Sequence, residues 1–389
     1  MNKSWIRSQI PASENNIYLN TGWEGPSPLS VVQAVSDRIA YENELGPTTP
    51  PVTESGRTIE EEAISLLANM VGGTPEEILL TQNTTHGLNI VLNGLQWENG
   101  DELIILDIEY PSVMVLALHL RDRYGIKLRI VEVSPTESHS EILRKIEAAI
   151  TSRTKLIFAS HVHYLNGLRM PAKDLCSLAH RYDAQVLLDG AQGLVHVDMD
   201  LTDMGVDYYA MPAQKWLLGP DGIGALFIRS DHIRRLRPTF VSSRAAKLWD
   251  SNGNYEEDSE SIGKFRLTTT SAPLKAGFKE ALRFIQKDAG GVKQIEKESS
   301  KLAAQMRNAL TEIPNLKLHC PQTAPEATSL VTFSIKDKAA SDIVNALWIN
   351  HHIVCRAIQP LNGIRLSLHV FNSDEDIEQT AEAIRSLEI

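Results

Sequence analysis

Lys215 and Asp189 are the residues of this sequence whose types and placing promise chemistry. Lys215 lies just past the apolar run Tyr208–Met211, in Pro212-Ala213-Gln214-Lys215-Trp216-Leu217-Leu218-Gly219-Pro220, and Asp189 ends Val186-Leu187-Leu188 ahead of Gly190-Ala191-Gln192. Each run reads as a strand buried on both faces. Both polar residues therefore fall at the carboxyl edge of a sheet, where open α/β sheets hold ligands. An amine able to form a Schiff base, opposite a carboxylate able to hold a protonated pyridine nitrogen, is the minimum equipment for pyridoxal phosphate. A buried Lys–Asp ion pair is the plainer alternative, but it leaves nearby anion-binding segments without a role.

One such segment is Thr84-Thr85-His86-Gly87, which follows the strand-like Ile78–Thr81 and opens the helical run Leu88–Leu95. Free amides and the dipole at a helix start make an anion site. An ordinary threonine cap accounts for one threonine but not for two followed by glycine. His163 and Tyr164 leave another apolar strand towards the same edge, which makes His163 a candidate second acid–base group beside Lys215. The turn Asn20-Thr21-Gly22-Trp23-Glu24-Gly25-Pro26 is a candidate to close over the site, with Thr21 and Glu24 as substrate contacts.

The elements that must position these residues alternate from about residue 77 to 229. Strand candidates are Glu77–Gln82, Glu102–Ile108, Leu128–Ser134, Lys155–His161, Gln185–Asp189, Tyr208–Met211 and Ile223–Arg229. Most are continuously apolar, and amphipathic stretches such as Ser140–Ile150 and Lys173–His180 between them suit right-handed crossovers. The fold class expected is α/β, with a doubly wound, mostly parallel seven-stranded sheet. Residues 245–264 read as a polar surface loop, and Leu274 to about Leu310 as one long helix. A smaller α+β unit follows, with strands Ser329–Ile335 and Gly363–Leu368 and a helix after Ser373. The expected division is an N-terminal segment, 1–30, at the site, a large domain, 31–285, and a small C-terminal domain, 286–389.

A chain of 389 residues exceeds one ordinary core, and 42% hydrophobic with 22% charged residues is the balance of a globular enzyme. A formal charge of -11 argues against a nucleic-acid partner, and Arg234-Arg235-Leu236-Arg237 reads as a solvated helix face. Three widely spaced cysteines, Cys176, Cys320 and Cys355, fit a reducing compartment. Met1–Arg7 has no apolar signal core, and no apolar run approaches the roughly 18 residues that span a bilayer. The expectation is a cytoplasmic protein with no membrane partner and no metal.

The segments Asp189-Gly190-Ala191-Gln192, Gln214-Lys215-Trp216-x-x-Gly219-Pro220-x-Gly222 and Arg365-x-Ser367-x-His369-x-x-Asn372, in this order, resemble the class V, fold-type I pyridoxal phosphate enzymes. The likeness runs from Tyr18 to Asn372 and is nearest to the cysteine/cystine C–S lyases and isopenicillin N epimerase-like members. It implies that the Thr84 amide and Thr85 hydroxyl hold the coenzyme phosphate. Gln214 stands where relatives have a phosphate-binding His, and Pro212 where they have Ser, so that part of the phosphate cup is rebuilt. Thr269 matches a residue lent to the neighbouring subunit's phosphate, which implies a homodimer with a shared site; an exposed loop threonine is the alternative. Tyr110 takes the place of a ring-stacking His, or is a plain core tyrosine. Gln192 faces the coenzyme's phenolic oxygen, and Asp189 keeps the pyridinium charged.

For the substrate, Arg365 matches the arginine that grips an α-carboxylate through two parallel hydrogen bonds. Arg356 matches a second arginine of the C–S lyases and binds a distal carboxylate or merely neutralises acidic surface. Tyr164 is a further substrate contact. The desulfurases of this family carry a nucleophilic Cys shortly before the carboxylate-binding Arg, whereas Ala357–Ile364 contains none. The implied function is a lyase on an α-amino acid: Lys215 removes the α-proton, then a β or γ group departs, protonated by His163, with re-closure of the product an option. Transamination or epimerisation is the alternative, since either shares every coenzyme residue. A non-catalytic scaffold on this fold is the third reading, opposed by the intact Lys215 and Arg365.

Overall fold

The computed structural model describes residues 2–387; Met1, Glu388 and Ile389, the outermost residues of the expected terminal segments, lie outside them. A short first strand, β1 (Ile17–Tyr18), precedes the seven strands of the main sheet: β2 (Ile78–Thr81), β3 (Glu102–Leu106), β4 (Lys127–Val131), β5 (Thr154–Ser160), β6 (Gln185–Asp189), β7 (Tyr208–Pro212) and β8 (Gly224–Ile228). Their spatial order is β2-β8-β7-β6-β5-β3-β4. The pairs among β3 to β7 are parallel, and β8 runs antiparallel to both neighbours. The continuous apolar runs have the cause expected of them. Ile104 and Leu106 join one core and Leu103 and Ile105 the other, so β3 is buried on both faces, as is β7.

Two expectations needed correction. Residues 245–264 are not simply loop: β9 (Ala246–Trp249) and β10 (Tyr255–Glu257) form an exposed antiparallel hairpin. The single helix from Leu274 to Leu310 is two, Ala272–Arg283 and Val292–Thr311, separated by a π-turn over Phe284–Asp288. Gly290 and Gly291 both have positive φ, 86° and 81°, a backbone that no helix interior contains.

The second of those helices starts the C-terminal unit. There β11 (Leu316–Leu318), β12 (Leu330–Ile335), β14 (Arg356–Ile358) and β15 (Gly363–Ser367) form an antiparallel sheet ordered β11-β12-β15-β14. Val331, Phe333, Ile364 and Leu366 fill a separate core beneath helices Val292–Thr311, Ala340–His351 and Asp374–Arg385. The chain's start is stitched to this unit. β1 pairs in parallel with β13 (Ile353–Val354), and Asn20 bridges to Ser367, so the turn from Asn20 to Gly25 lies beside the strand carrying Arg365. No helix among the described residues is long and apolar enough to cross a membrane.

Candidate active site

The carboxyl ends of β2, β5, β6 and β7, with the segment after β3, converge on a cavity of about 270 Å³. Past β2, the Asn83 side chain accepts from the His86 amide at 2.9 Å and caps the helix Thr84–Gly94. With the His86 and Gly87 amides taken by Asn83, the Thr84 and Thr85 amides have no acceptor among the described residues, and Asn83, Thr84 and Thr85 all line the cavity. Past β6, one Asp189 oxygen accepts from the Ala191 amide at 2.7 Å. Past β7, Lys215 stands on a compact arm closed by Leu218 N–H to Lys215 O at 3.0 Å and Gly219 N–H to Ala213 O at 2.9 Å. Leu218 adopts a left-handed φ of 59° to complete it, a conformation that costs a non-glycine residue about 1–2 kcal/mol.

The N-terminal turn rests on this arm. Gly25 N–H donates to Gln214 O at 2.6 Å. A Cβ at Gly25 would lie far inside contact distance of Lys215 O and the Leu218 side chain, so glycine is required for the close approach. From the C-terminal unit, β14 and β15 bring Arg356 and Arg365 opposite one another in register, and both line the cavity. Arg365 is fully buried. Its Nη1 donates to Tyr164 O at 2.9 Å, while Nε and Nη2 have no hydrogen-bond partner among the described residues. Unmet donors on a buried guanidinium are costly unless an anion completes them. The Arg356 guanidinium lies over the Trp23 ring, 4.3 Å from its centroid.

Burial pulls the Lys215 amine down to about 8; Asp189 opposes the shift, and Arg365 and Arg356 add to it. That brings the neutral amine much nearer to neutral pH than in an ordinary lysine, which suits a base. Burial raises the Asp189 carboxyl, opposed by the Ala191 N–H and by Lys215. A cation against its free oxygen pushes it back towards the ionised form. Burial, with Arg356 alongside, lowers Arg365, which remains a cation at neutral pH.

Of the residues singled out from the sequence, Thr84, Thr85, Tyr110, Tyr164, Asp189, Gln192, Gln214, Lys215, Arg356 and Arg365 line the cavity. Tyr110 is no core residue: it is 39% exposed and meets Tyr164 edge-on at 5.1 Å. His163 requires correction. Its ring is fully buried, both nitrogens lack partners among the described residues, and Nδ1 is 3.9 Å from Glu109 Oε1. Ser160, Val162 and Tyr164 face the cavity and His163 does not, because successive side chains of extended backbone alternate. Burial drags its pKa to about 3, so at neutral pH the ring is uncharged and a poor acid for a departing group.

Glu24 is exposed, and a hydrogen bond with Asp221 raises it to about 7; it does not line the cavity. Thr21 is wholly buried behind the turn with its hydroxyl unpartnered among the described residues, and Thr269 lies in an exposed loop outside this cavity. Trp23, Asn83 and Ser160 went unnoticed in the sequence. The Ser160-Val162-Tyr164 alternation was the available signal for Ser160, and the helix cap for Asn83.

The donor set fits pyridoxal phosphate. The Thr84 and Thr85 amides at the helix start suit a phosphate, the buried Asp189 oxygen a pyridinium, and the depressed Lys215 amine an aldehyde. A lysine and an aspartate at the carboxyl edge of a mostly parallel sheet, with an arginine supplied by a second unit, define a class of coenzyme-using sheet enzymes. Residues 25–380 match the class-V aminotransferase family, and the chain belongs to it. Across 98% of this chain and 97% of the other, it is 25% identical to a probable cysteine desulfurase of Methanothermobacter thermautotrophicus. It is 28% identical to isopenicillin N epimerase of Amycolatopsis lactamdurans over 98% of this chain and 97% of that one. Among solved structures, a complex of the cystine C–S lyase C-DES with its reaction product cysteine persulfide superposes with a TM-score of 0.90. That pair is 26% identical and covers 97% of this chain and 99% of the other.

Proposed function

We propose that this chain is a pyridoxal phosphate-dependent lyase that removes the α-proton of an amino acid and expels a β or γ substituent. The observation that carries the reading is one cavity holding Lys215, Asp189, a helix N-terminus and Arg365, two of whose nitrogens have no partner among the described residues. The likeness to a cystine C–S lyase supports elimination as the outcome. When bound, the coenzyme supplies an electron sink for charge left at Cα. The chain's own residues do the rest. Thr84, Thr85 and the amides at the helix start would hold the phosphate, with Gln214, which lines the cavity, able to donate to it only through its side-chain Nε2. Asp189 holds the proton at the pyridine nitrogen, Tyr110 covers the ring, and Gln192 meets the phenolic oxygen. Lys215, as a neutral amine, takes the α-proton. Arg365 orients the α-carboxylate, and Arg356, one strand over and propped on Trp23, takes a distal carboxylate.

No persulfide is handed to an enzyme thiol in this reading. The path from Arg356 to Arg365 is a tight hairpin through a short turn at Gln359–Leu361, and burial pushes the Cys355 thiol up to about 12. The working form is a cytoplasmic homodimer in which Thr269 reaches the partner's phosphate. Exposed Phe240, Val241, Leu248, Trp249 and Tyr255, in the same part of the chain, supply an apolar surface for that contact. The division into 1–30, 31–285 and 286–389 goes with this reading: one segment covers the site, one holds the coenzyme, and one brings the arginines.

Holoenzyme incubated with sulfur-containing and other α-amino acids should release pyruvate or a related keto acid together with ammonia and the leaving group. Borohydride reduction should place the pyridoxyl label on the Lys215 peptide. Keto acid formed with the amino group retained on the coenzyme, or exchange at Cα with inversion and no elimination, would overturn the lyase assignment in favour of transamination or epimerisation.

A further inference from the structure

Gln192 is held by two groups whose hydrogen-bonding roles cannot be exchanged. The Trp216 indole N–H, which only donates, reaches Gln192 Oε1 at 2.8 Å, and the Gly22 carbonyl, which only accepts, takes a hydrogen from Nε2 at 2.6 Å. Turning the amide over would set N–H against N–H and oxygen against oxygen. One hydrogen on Nε2 remains, on a residue that is buried yet lines the cavity.

Trp216 is itself held on both sides. His196 stacks on the indole with ring centroids 3.6 Å apart and planes 8° from parallel. The Ser329 amide donates to His196 Nε2 at 3.2 Å, so His196 Nδ1 carries the proton and donates to Gln192 O at 2.7 Å. From the C-terminal unit, His369 Nε2 reaches Trp216 O at 3.1 Å. Burial keeps both imidazoles neutral, which preserves these roles across the physiological range. Gly22 has no space to spare either: a Cβ there would meet Ser367 Oγ at 2.8 Å and Gln192 Oε1 at 3.0 Å.

We infer that Trp216 is a positioning residue: its indole N–H fixes the Gln192 amide so that the cavity meets an N–H donor at that point and never a carbonyl. The inference rests on the reading that pyridoxal phosphate sits on Lys215 with its phenolic oxygen towards Gln192, and it names what sets the polarity of that contact. A donor there draws charge from the phenolic oxygen and so loosens the proton on the adjacent nitrogen. A carbonyl at the same place would repel that oxygen.

The test compares wild type, Trp216→Phe, which keeps a ring against His196 but loses the donor, Gln192→Leu, and the double variant. Two readouts are taken. One is the pH midpoint of the bound coenzyme's visible absorption band; the other, on apoenzyme, is hydrogen exchange of the amides in residues 20–25. The midpoint should rise by about 0.5 pH unit or more in each single variant, and the double variant should rise no further than Gln192→Leu alone. Exchange in the 20–25 turn should quicken most in Gln192→Leu, where the Gly22 carbonyl loses its donor, and less in Trp216→Phe, where that donor stays on an amide no longer held by the indole. A wild-type midpoint in Trp216→Phe while Gln192→Leu shifts, or additive shifts in the double variant, overturns the inference and leaves the coenzyme reading intact. Wild-type apoenzyme that takes up no pyridoxal phosphate refutes the reading beneath it instead. Where Trp216→Phe does not fold, Trp216→Met takes its place, since it also lacks the N–H and adds no charge, and an unmoved midpoint there sinks the inference.

Discussion

Arg365 shows how much one residue does here. Its guanidinium is fully buried, yet two donor positions have no partner among the described residues, so an arriving carboxylate meets a prearranged fork. Arg365→Lys keeps the charge and loses the fork. The expected loss of roughly 1.5–3 kcal/mol appears as a KM raised about 10- to 100-fold in steady-state kinetics, with coenzyme affinity little changed. An unaltered KM would hand the α-carboxylate to Arg356. Lys215 gives a second residue-scale prediction, about pH. Its folded-state pKa, near 8, lies below the ordinary lysine value of 10.5, so the unfolded chain binds more protons between those limits. Stability from this group therefore rises with pH across that window and is lowest below it. Urea unfolding of apoenzyme at pH 7 and pH 10 should show Lys215→Met more stable than wild type at the lower pH, with the gap closing at the higher one.

Elements decide which of these residues can act together. The arm carrying Lys215 is short, contains a left-handed leucine, and is braced by the N-terminal turn through Gly25. Gly25→Ala sets a methyl against the Lys215 carbonyl, and the arm must shift. The expected cost is about 1–3 kcal/mol of stability, read by urea unfolding, with a kcat/KM loss of at least about tenfold as the amine is displaced. Wild-type values in both would show that the turn does not brace the arm. Strand periodicity explains both a success and a failure of sequence reading at this scale. Continuous apolar runs located β3, β5, β6 and β7 to within a residue or two, because strands buried on both faces cannot carry polar residues until they end. The same alternation, carried past Ser160, sends Val162 and Tyr164 to the cavity and turns His163 away, a distinction residue type alone does not reveal.

For the whole molecule, the site is a joint product of three stretches of chain far apart in sequence, and the proposed dimer would add a surface to it. Trp249 is 63% exposed on a hairpin that also shows Leu248 and Tyr255 to solvent, and Thr269 is exposed further along the chain. Sedimentation equilibrium should give a dimer of the 43.2 kDa chain, and Trp249→Glu should drive it towards monomer with weakened coenzyme retention. A wild-type monomer that is fully active at micromolar concentration would remove the shared-site assignment and Thr269 with it.

The sequence alone determined the layered α/β architecture, the edge on which Lys215 and Asp189 stand, and the helix start that offers amides to an anion. Each of these follows from local pattern: apolar runs of strand length, polar residues at their ends, and threonines at a helix opening. The resemblance already assigned Arg365 to the substrate, but only the tertiary structure showed that it reaches the cavity from another sheet. It also decided that His163 is shut away and that the Trp216 indole and the Gly22 carbonyl, rather than any titratable group, meet the two ends of the Gln192 amide. Those outcomes depend on contacts between segments more than 20 residues apart, where packing and the pairing of fixed donors with fixed acceptors overrule what any one residue type suggests.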